Sequence, residues 1–141
     1  MLSTTRAGDG RALDGAVAPP ILIIDDQPEA ATETGALLAA QGYALAVEAS
    51  GDAVLRLVRS RLLRLVVSEL YIPCAEGRCV VGALKNDRHR LPRLRVLVLT
   101  RHTTPADFEW ALDAGADAVL VKPARAAVLL REVGRLLGAA A

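Results

Sequence analysis

Acidic, hydroxyl and ammonium side chains follow four apolar runs of the sequence, each at the point where the run ends. Asp25 and Asp26 follow the first of these runs, Glu69 follows the second, and Thr100 and Lys122 close the last two. Three carboxylates at short range repel one another, and a divalent cation or a nearby ammonium group relieves that repulsion. Because Lys122 supplies an ammonium without any metal, the set is either a functional site or a buried polar cluster that simply ends strands.

The elements that must bring these side chains together alternate between apolar stretches of strand length and helical patterns. This alternation is typical of βαβ units and a parallel sheet covered on both faces. Strands are predicted over residues 20–24, 43–48, 64–69, 94–99 and 118–121, and helices begin near Pro28, Ser50, Val80, Thr104 and Ala126. Ligands of open parallel sheets bind beyond the carboxyl ends of the strands, so the polar set falls where binding is expected.

The composition indicates one domain without a nucleic-acid or membrane function. The chain has 141 residues, a formal net charge of +1 and 3% aromatic residues, so it lacks both the charge that binds phosphate backbones and the rings that stack on bases. No apolar run reaches the roughly 20 residues of a membrane span, and no signal peptide precedes the domain, so we expect a cytoplasmic protein. Residues 1–18 are interpreted as a mobile tail and residues 19–141 as the domain.

Four segments resemble the receiver domain of bacterial response regulators, over roughly residues 20–137. They are Ile23-Ile24-Asp25-Asp26-Gln27-Pro28, Leu65-Val66-Val67-Ser68-Glu69-Leu70-Tyr71-Ile72-Pro73, Val98-Leu99-Thr100 and Gly115-Ala116-Asp117-Ala118-Val119-Leu120-Val121-Lys122-Pro123. No single segment is diagnostic, but their order and spacing agree with the family throughout. The resemblance implies a flavodoxin-like (βα)5 doubly wound parallel sheet with strand order 2-1-3-4-5.

The resemblance also implies roles for the polar set. Members of the family accept a phosphoryl group from a histidine kinase on an aspartate at the end of the third strand. Mg²⁺ would be held by Asp25, Asp26 and the backbone carbonyl of Tyr71, and Thr100 and Lys122 would engage the phosphoryl oxygens. An aromatic residue on the fifth strand would turn inward to report the modification.

This chain departs from that pattern at three positions. Glu69 stands where the acceptor aspartate is expected, and displacing a nucleophile by ~1 Å can cost ~10²-fold in transfer rate. The longer side chain instead carries its charge toward Lys122 and Thr100, where it could imitate part of the phosphorylated state with one charge in place of about two. Val119 replaces the reporting aromatic residue, and Arg101 either crowds the site or replaces a solvent cation with a tethered guanidinium.

An interaction surface is predicted on the fourth helix and the fifth strand. The helix holds more apolar residues than one stripe can turn inward, and the resulting exposed patch would consist of Phe108, Leu112, Val119 and Val121. By resemblance, receiver domains dimerise or meet partners through the fourth helix, fifth strand and fifth helix. The alternative is that Phe108 and Trp110 fold over the helix and cover small residues.

Three functions compete on these grounds. The first is a stand-alone pseudo-receiver, a non-enzymatic signalling module in a two-component system that binds a kinase, a regulator or a second copy of itself with little phosphorylation switching. It would require no cofactor, although Mg²⁺ could bind. The second is a phosphorylatable response regulator. The third is a small Mg²⁺-dependent phosphatase with Asp25 as nucleophile, which is disfavoured because Gln27 stands where a second acid is expected.

Overall fold

The computed structural model describes residues 21–60, 63–75, 79–85, 87 and 91–139. Strands and helices alternate along this part of the chain. In order they are β1 (Ile21–Ile24), α1 (Pro28–Ala40), β2 (Leu45–Glu48), α2 (Gly51–Ser60), β3 (Leu65–Ser68), α3 (Val80–Lys85), β4 (Arg95–Thr100), α4 (Pro105–Asp113), β5 (Ala118–Val121) and α5 (Ala126–Ala139). The predicted tail, residues 1–18, lies outside the described residues.

The strands form one parallel sheet in the order β2-β1-β3-β4-β5. The two central strands, β1 and β3, are buried along their whole length, as expected for strands covered on both faces. The order changes direction beside β1, which defines the switch point of a doubly wound sheet. The flavodoxin-like fold predicted from the resemblance is confirmed.

Two hydrophobic clusters lie on opposite faces of the sheet. Alternate residues of β1 divide between them, with Leu22 and Ile24 in one cluster and Ile21 and Ile23 in the other. Helices α2, α3 and α4 cover the first face, whereas α1 and α5 cover the second. This arrangement follows from the strand period of two, which sends successive side chains to opposite faces.

Local signals at the helix ends agree with the structure. Thr104 and Asp107 form a capping box at the start of α4, in which each side chain accepts a hydrogen bond from the backbone N–H of the other residue. Gly42 and Gly115, which follow α1 and α4, adopt positive φ angles of 90° and 100°. Only glycine takes such angles at little cost, so a glycine just after an apolar helical pattern predicts the end of the helix, and both residues lie at such ends.

Two details of the predicted elements are corrected. Strand β2 begins at Leu45 and not at Tyr43, because the Tyr43 N–H donates to the Leu38 carbonyl and still belongs to the turn after α1. The apolar spacing on α5 predicts an inner stripe of Ala126, Leu129, Leu130, Val133 and Leu137. All of these except the exposed Ala126 pack in the core, and Leu136 is buried with them. Within the described ranges, none of the helices has the length and apolar character needed to cross a membrane.

Candidate functional site

The sheet register gathers the predicted polar residues at one edge. Ile24 pairs with Ser68 at the ends of β1 and β3, and the Glu69 N–H donates to the Ile24 carbonyl over 3.0 Å. Thr100 pairs with Val121 at the ends of β4 and β5. The residues that follow these four strands therefore meet on one side of the sheet.

Lys122 lies at the centre of this set. Its Nζ atom is 2.5 Å from Asp25 Oδ2 and 3.0 Å from Glu69 Oε1. Both carboxylates are buried, where an unpaired charge would be costly. The ammonium group therefore neutralises charge on two acids that follow different strands.

The Glu69 side chain is 2% exposed and is engaged by several donors. The Leu70 N–H donates to Oε2 over 2.7 Å, and the Arg101 N–H donates to Oε1 over 3.2 Å. Burial raises the pKa of this carboxyl, but hydrogen bonds from the Thr100 hydroxyl and the Leu70 N–H, together with the Lys122 ammonium, outweigh burial. The pKa of Glu69 consequently lies below its usual value of 4.5, and the group is a carboxylate at neutral pH.

The Arg101 guanidinium lies between Glu69 and the third acid of the site, Asp26. Its Nη1 atom is 3.5 Å from Asp26 Oδ1 and 3.5 Å from Glu69 Oε1. The side chains of Arg101 and Asp26 are 42% and 49% exposed, respectively, so this is the solvent-facing half of the cluster. We refer to Asp25, Asp26, Glu69, Arg101 and Lys122 as the charged cluster.

Both oxygens of Asp25, the first predicted ligand of a divalent cation, are already engaged by groups of the chain. Asp25 Oδ1 accepts from the Gln27 N–H over 2.9 Å, and Asp25 Oδ2 faces Lys122. No trio of histidine, cysteine or acidic side chains is placed to hold a metal ion in the portion of the chain that the structure describes. As arranged, these donors do not fit a divalent cation, and the assignment of Asp25, Asp26 and the Tyr71 carbonyl to Mg²⁺ stays a prediction.

The side chain of Tyr71 has contacts that the sequence did not indicate. Its hydroxyl donates to Asp107 Oδ1 over 2.6 Å. Its ring meets the His102 ring edge-on with centroids 4.8 Å apart, and lies 5.8 Å from the Trp110 ring. The hydrogen bond from Tyr71 is the main reason that the pKa of Asp107 is lowered. Tyr71 thus connects the loop after β3 to the first turn of α4.

The predicted interaction patch is only partly exposed. Leu112 is 59% exposed and Val121 is 41% exposed, whereas Phe108 and Val119 are half-buried. Val119 and Trp110 both pack against the hydrophobic cluster beneath α4. The patch therefore narrows to Leu112 and Val121, one on α4 and the other on the edge strand β5, and we call these two residues the α4–β5 face.

These features define a class of protein. A doubly wound parallel sheet with acids and a lysine at its carboxyl edge is a flavodoxin-like domain whose candidate site lies outside the strand ends. The model of the response regulator receiver domain matches residues 21–134. The chain belongs to that family, which places it in two-component signalling.

Individual relatives agree with this assignment. The chain is 34% identical over 119 residues to the transcriptional activator protein ExaE of Pseudomonas putida, a match that covers 83% of this chain and 54% of that protein. The crystal structure of the signal receiver domain of a histidine kinase from Syntrophus aciditrophicus matches with a TM-score of 0.75 and 30% identity, covering 86% of this chain and 92% of that one.

A third comparison supports the fold alone. A CheY-like receiver domain protein from Methanospirillum hungatei has a TM-score of 0.74 at 22% identity, over 85% of this chain and 94% of that one. The chain spans about half or less of the length of the first curated relatives, from 13% of a gliding motility regulatory protein of Myxococcus xanthus to the 54% above.

Proposed function

We propose that this chain is a pseudo-receiver, a receiver domain that signals by binding protein partners and switches little or not at all by phosphorylation. The observation that carries the proposal is the state of Glu69. Both of its oxygens accept hydrogen bonds from groups of the same chain. An attacking oxygen must be free and placed in line with phosphorus, and the Glu69 oxygens are held by other contacts.

The donors around Glu69 also support a partial imitation of the phosphorylated state. Lys122 and Thr100 would engage phosphoryl oxygens by family resemblance. Here Lys122 hydrogen-bonds the Glu69 carboxylate, and the Thr100 hydroxyl helps to lower the pKa of that carboxyl. The carboxylate brings one negative charge, where a phosphoryl group would bring about two. Glu69 therefore imitates the position of a phosphoryl group more than its charge. Because the carboxylate belongs to the sequence itself, this imitation is permanent.

The same geometry argues against catalysis. In the phosphatase alternative Asp25 would attack phosphorus, but its two oxygens are engaged by the Gln27 N–H and by Lys122. A nucleophile held in this way is poorly placed for attack. We accordingly propose that the domain has no enzymatic activity, and turnover of p-nitrophenyl phosphate with Mg²⁺ would contradict this.

The test of the pseudo-receiver is exposure to acetyl phosphate and Mg²⁺, followed by intact mass spectrometry. We expect no phosphate adduct on the wild-type chain. The matched comparison is Glu69→Asp combined with Arg101→Ala, which shortens the carboxylate side chain by one methylene and removes the guanidinium beside it, and we expect this double variant to gain an adduct. A stable adduct on the wild type that disappears in Glu69→Gln would show a phosphorylatable response regulator instead.

The α4–β5 face is the surface through which we propose that the domain acts. Leu112 and Val121 expose apolar side chains to water, and exposed apolar patches mark interaction sites. The partner that would bind this face is a protein. A second copy of the chain, a kinase and a regulator are each the kind of partner expected of a receiver domain. Light scattering of the wild type and Leu112→Glu distinguishes a homodimer from a partner of another kind. If Leu112→Glu changes neither molar mass nor partner binding, the face is not the interface.

A further inference from the structure

Every acid of the charged cluster is paired with a cation that belongs to the chain itself. Lys122 contacts Asp25 and Glu69, and the Arg101 guanidinium contacts Glu69 and Asp26 with both distances at 3.5 Å. Three negative charges are thereby opposed by two fixed positive charges. The repulsion that would otherwise recruit a cation from solution is largely relieved within the protein.

The position of Arg101 distinguishes it from Lys122. The Arg101 guanidinium reaches into the space between Asp26 and Glu69 from the loop after β4, and the backbone N–H of the same residue also donates to Glu69. A guanidinium keeps its charge at all ordinary pH values and presents five N–H donors. One residue therefore supplies a hydrogen bond to the buried Glu69 and a positive charge to the exposed Asp26.

A divalent cation would have to displace these contacts. Mg²⁺ requires near-octahedral oxygen ligands at about 2.0–2.1 Å, whereas Glu69 Oε1 already faces Lys122 Nζ, the Arg101 N–H and Arg101 Nη1. An incoming ion would also be repelled by both side-chain cations. The contacts and the charges both oppose binding of a metal between these acids.

We propose that Arg101 is a built-in counter-ion that takes the place of a divalent cation, so that the charged cluster is complete without metal. This deepens the proposed function and rests on it, because a site that neither accepts phosphate nor needs Mg²⁺ holds one fixed state. The geometry makes Arg101 the residue that keeps an ion from the space between Asp26 and Glu69, on the solvent side of Lys122. Removal of its charge should open the site to a metal.

The test is a titration with Mn²⁺, in which electron paramagnetic resonance measures the bound ion. Added Mg²⁺ then tests whether it competes for the same site. We expect no saturable binding by the wild type at millimolar Mn²⁺. Arg101→Ala and Arg101→Gln should bind Mn²⁺ at least roughly tenfold more tightly, because one like charge near the site is removed. Adding Asp26→Asn to either variant should abolish the gain, since Asp26 would be a ligand.

The matched control is Arg135→Ala, which removes the same charge from α5, where Arg135 pairs with Glu132. This variant should bind no more Mn²⁺ than the wild type. Saturable binding by the wild type that Asp26→Asn removes would overturn the proposal, as would folded Arg101→Ala and Arg101→Gln proteins that gain nothing. The Gln variant keeps most of the side-chain volume and serves if the Ala variant does not fold.

The two proposals fail in different ways. A phosphate adduct on the wild type would overturn the pseudo-receiver whatever the manganese titration shows. Saturable Mn²⁺ binding by a wild type that forms no adduct would overturn the role of Arg101 and leave the pseudo-receiver intact. The mass spectrum reports on Glu69, and the titration reports on the space between Asp26 and Glu69.

Discussion

The charged cluster and the α4–β5 face adjoin at two consecutive residues, Lys122 and Val121. The side chains of the cluster have partners within the chain, whereas those of the face are exposed to water. Lys122 turns its ammonium toward two buried acids, while Val121 beside it exposes apolar surface to water. The contacts of the cluster lie within the chain, whereas the face is the place where large apolar side chains remain exposed among the described residues. This contrast supports the proposal that the domain acts through its surface and not through phosphorylation of the charged cluster.

The two regions should also differ in how much their side chains contribute to the free energy of unfolding. Buried ion pairs depend on each partner, because removal of one partner leaves the other charged and unsolvated. Exposed apolar side chains add little to folding, so their replacement costs little. Substitutions in the cluster should therefore change the free energy of unfolding much more than substitutions on the face.

The largest effect is expected for Lys122→Met, which keeps an unbranched side chain shorter by one atom and removes the charge. Asp25 and Glu69 would both lose their ammonium partner, and we expect the free energy of unfolding to fall by about 3–5 kcal/mol. Urea denaturation measures it. The matched control is Lys85→Met, because Lys85 is the other lysine of the chain. Among the described residues, its ammonium group hydrogen-bonds only the exposed backbone carbonyl of Asp113. Equal losses in the two variants would contradict the contrast.

A smaller, pH-dependent effect is expected for Glu69→Gln. At neutral pH the variant should lose about 1–3 kcal/mol, the value of hydrogen bonds to a charged group. Because the folded-state pKa of Glu69 is lowered, its contribution is fully present above the ordinary value of 4.5 and is lost as pH falls through the folded-state pKa. The wild type and Glu69→Gln should thus converge in stability at acidic pH in urea titrations. A constant difference across that range would mean that ionisation of Glu69 does not stabilise the fold.

A third effect tests the connection between the two regions. Tyr71→Phe removes the hydroxyl that donates to Asp107 Oδ1, and we expect a loss of about 1 kcal/mol. Trp110 lies against the same ring, so its fluorescence should change as well. Tyr43→Phe, in the turn before β2, is the control for loss of a tyrosine hydroxyl. If Tyr43→Phe costs as much, the Tyr71 hydrogen bond contributes nothing specific.

The smallest effect on folding is expected on the face. Leu112→Glu places a charge on a side chain that is already 59% exposed, and surface substitutions usually stay within about 0.5 kcal/mol. Thermal denaturation should show little change while association is lost. A large fall in stability would show that Leu112 belongs to the core and would remove the basis for the contrast.

Much of the fold could be predicted from the sequence because its signals are local. Strand-length apolar runs, the capping box of Thr104 and Asp107, and the glycines after α1 and α4 each act within a few residues. The meeting of Asp25, Glu69 and Lys122 was also predictable, since carboxyl ends of parallel strands share one edge. In these cases short-range patterns and topology were sufficient.

The rest depends on side-chain directions that no local pattern contains. The Tyr71 hydroxyl reaches Asp107 across 36 positions of sequence, whereas the family resemblance gives a role only to the Tyr71 backbone carbonyl. Burial of Phe108 and Val119 depends on how α4 packs over the edge of the sheet, which sets the exposed part of the patch. The sequence is also compatible with more than one place for the Arg101 guanidinium, which the structure puts between Asp26 and Glu69. Each of these is set by tertiary packing.

The bond between Lys122 and Asp25 also has a mechanical consequence. Lys122 follows the edge strand β5, and Asp25 follows β1, which is separated from β5 by β3 and β4 in the sheet. Edge strands normally fray first, because one side of their backbone is unpaired. Here the ion pair between Lys122 and Asp25 connects the end of β5 to the end of β1, across β3 and β4. Strand β2, at the opposite edge, has no comparable ion pair among the bonds that the structure describes. Amide hydrogens of β5 should therefore exchange with solvent more slowly than those of β2.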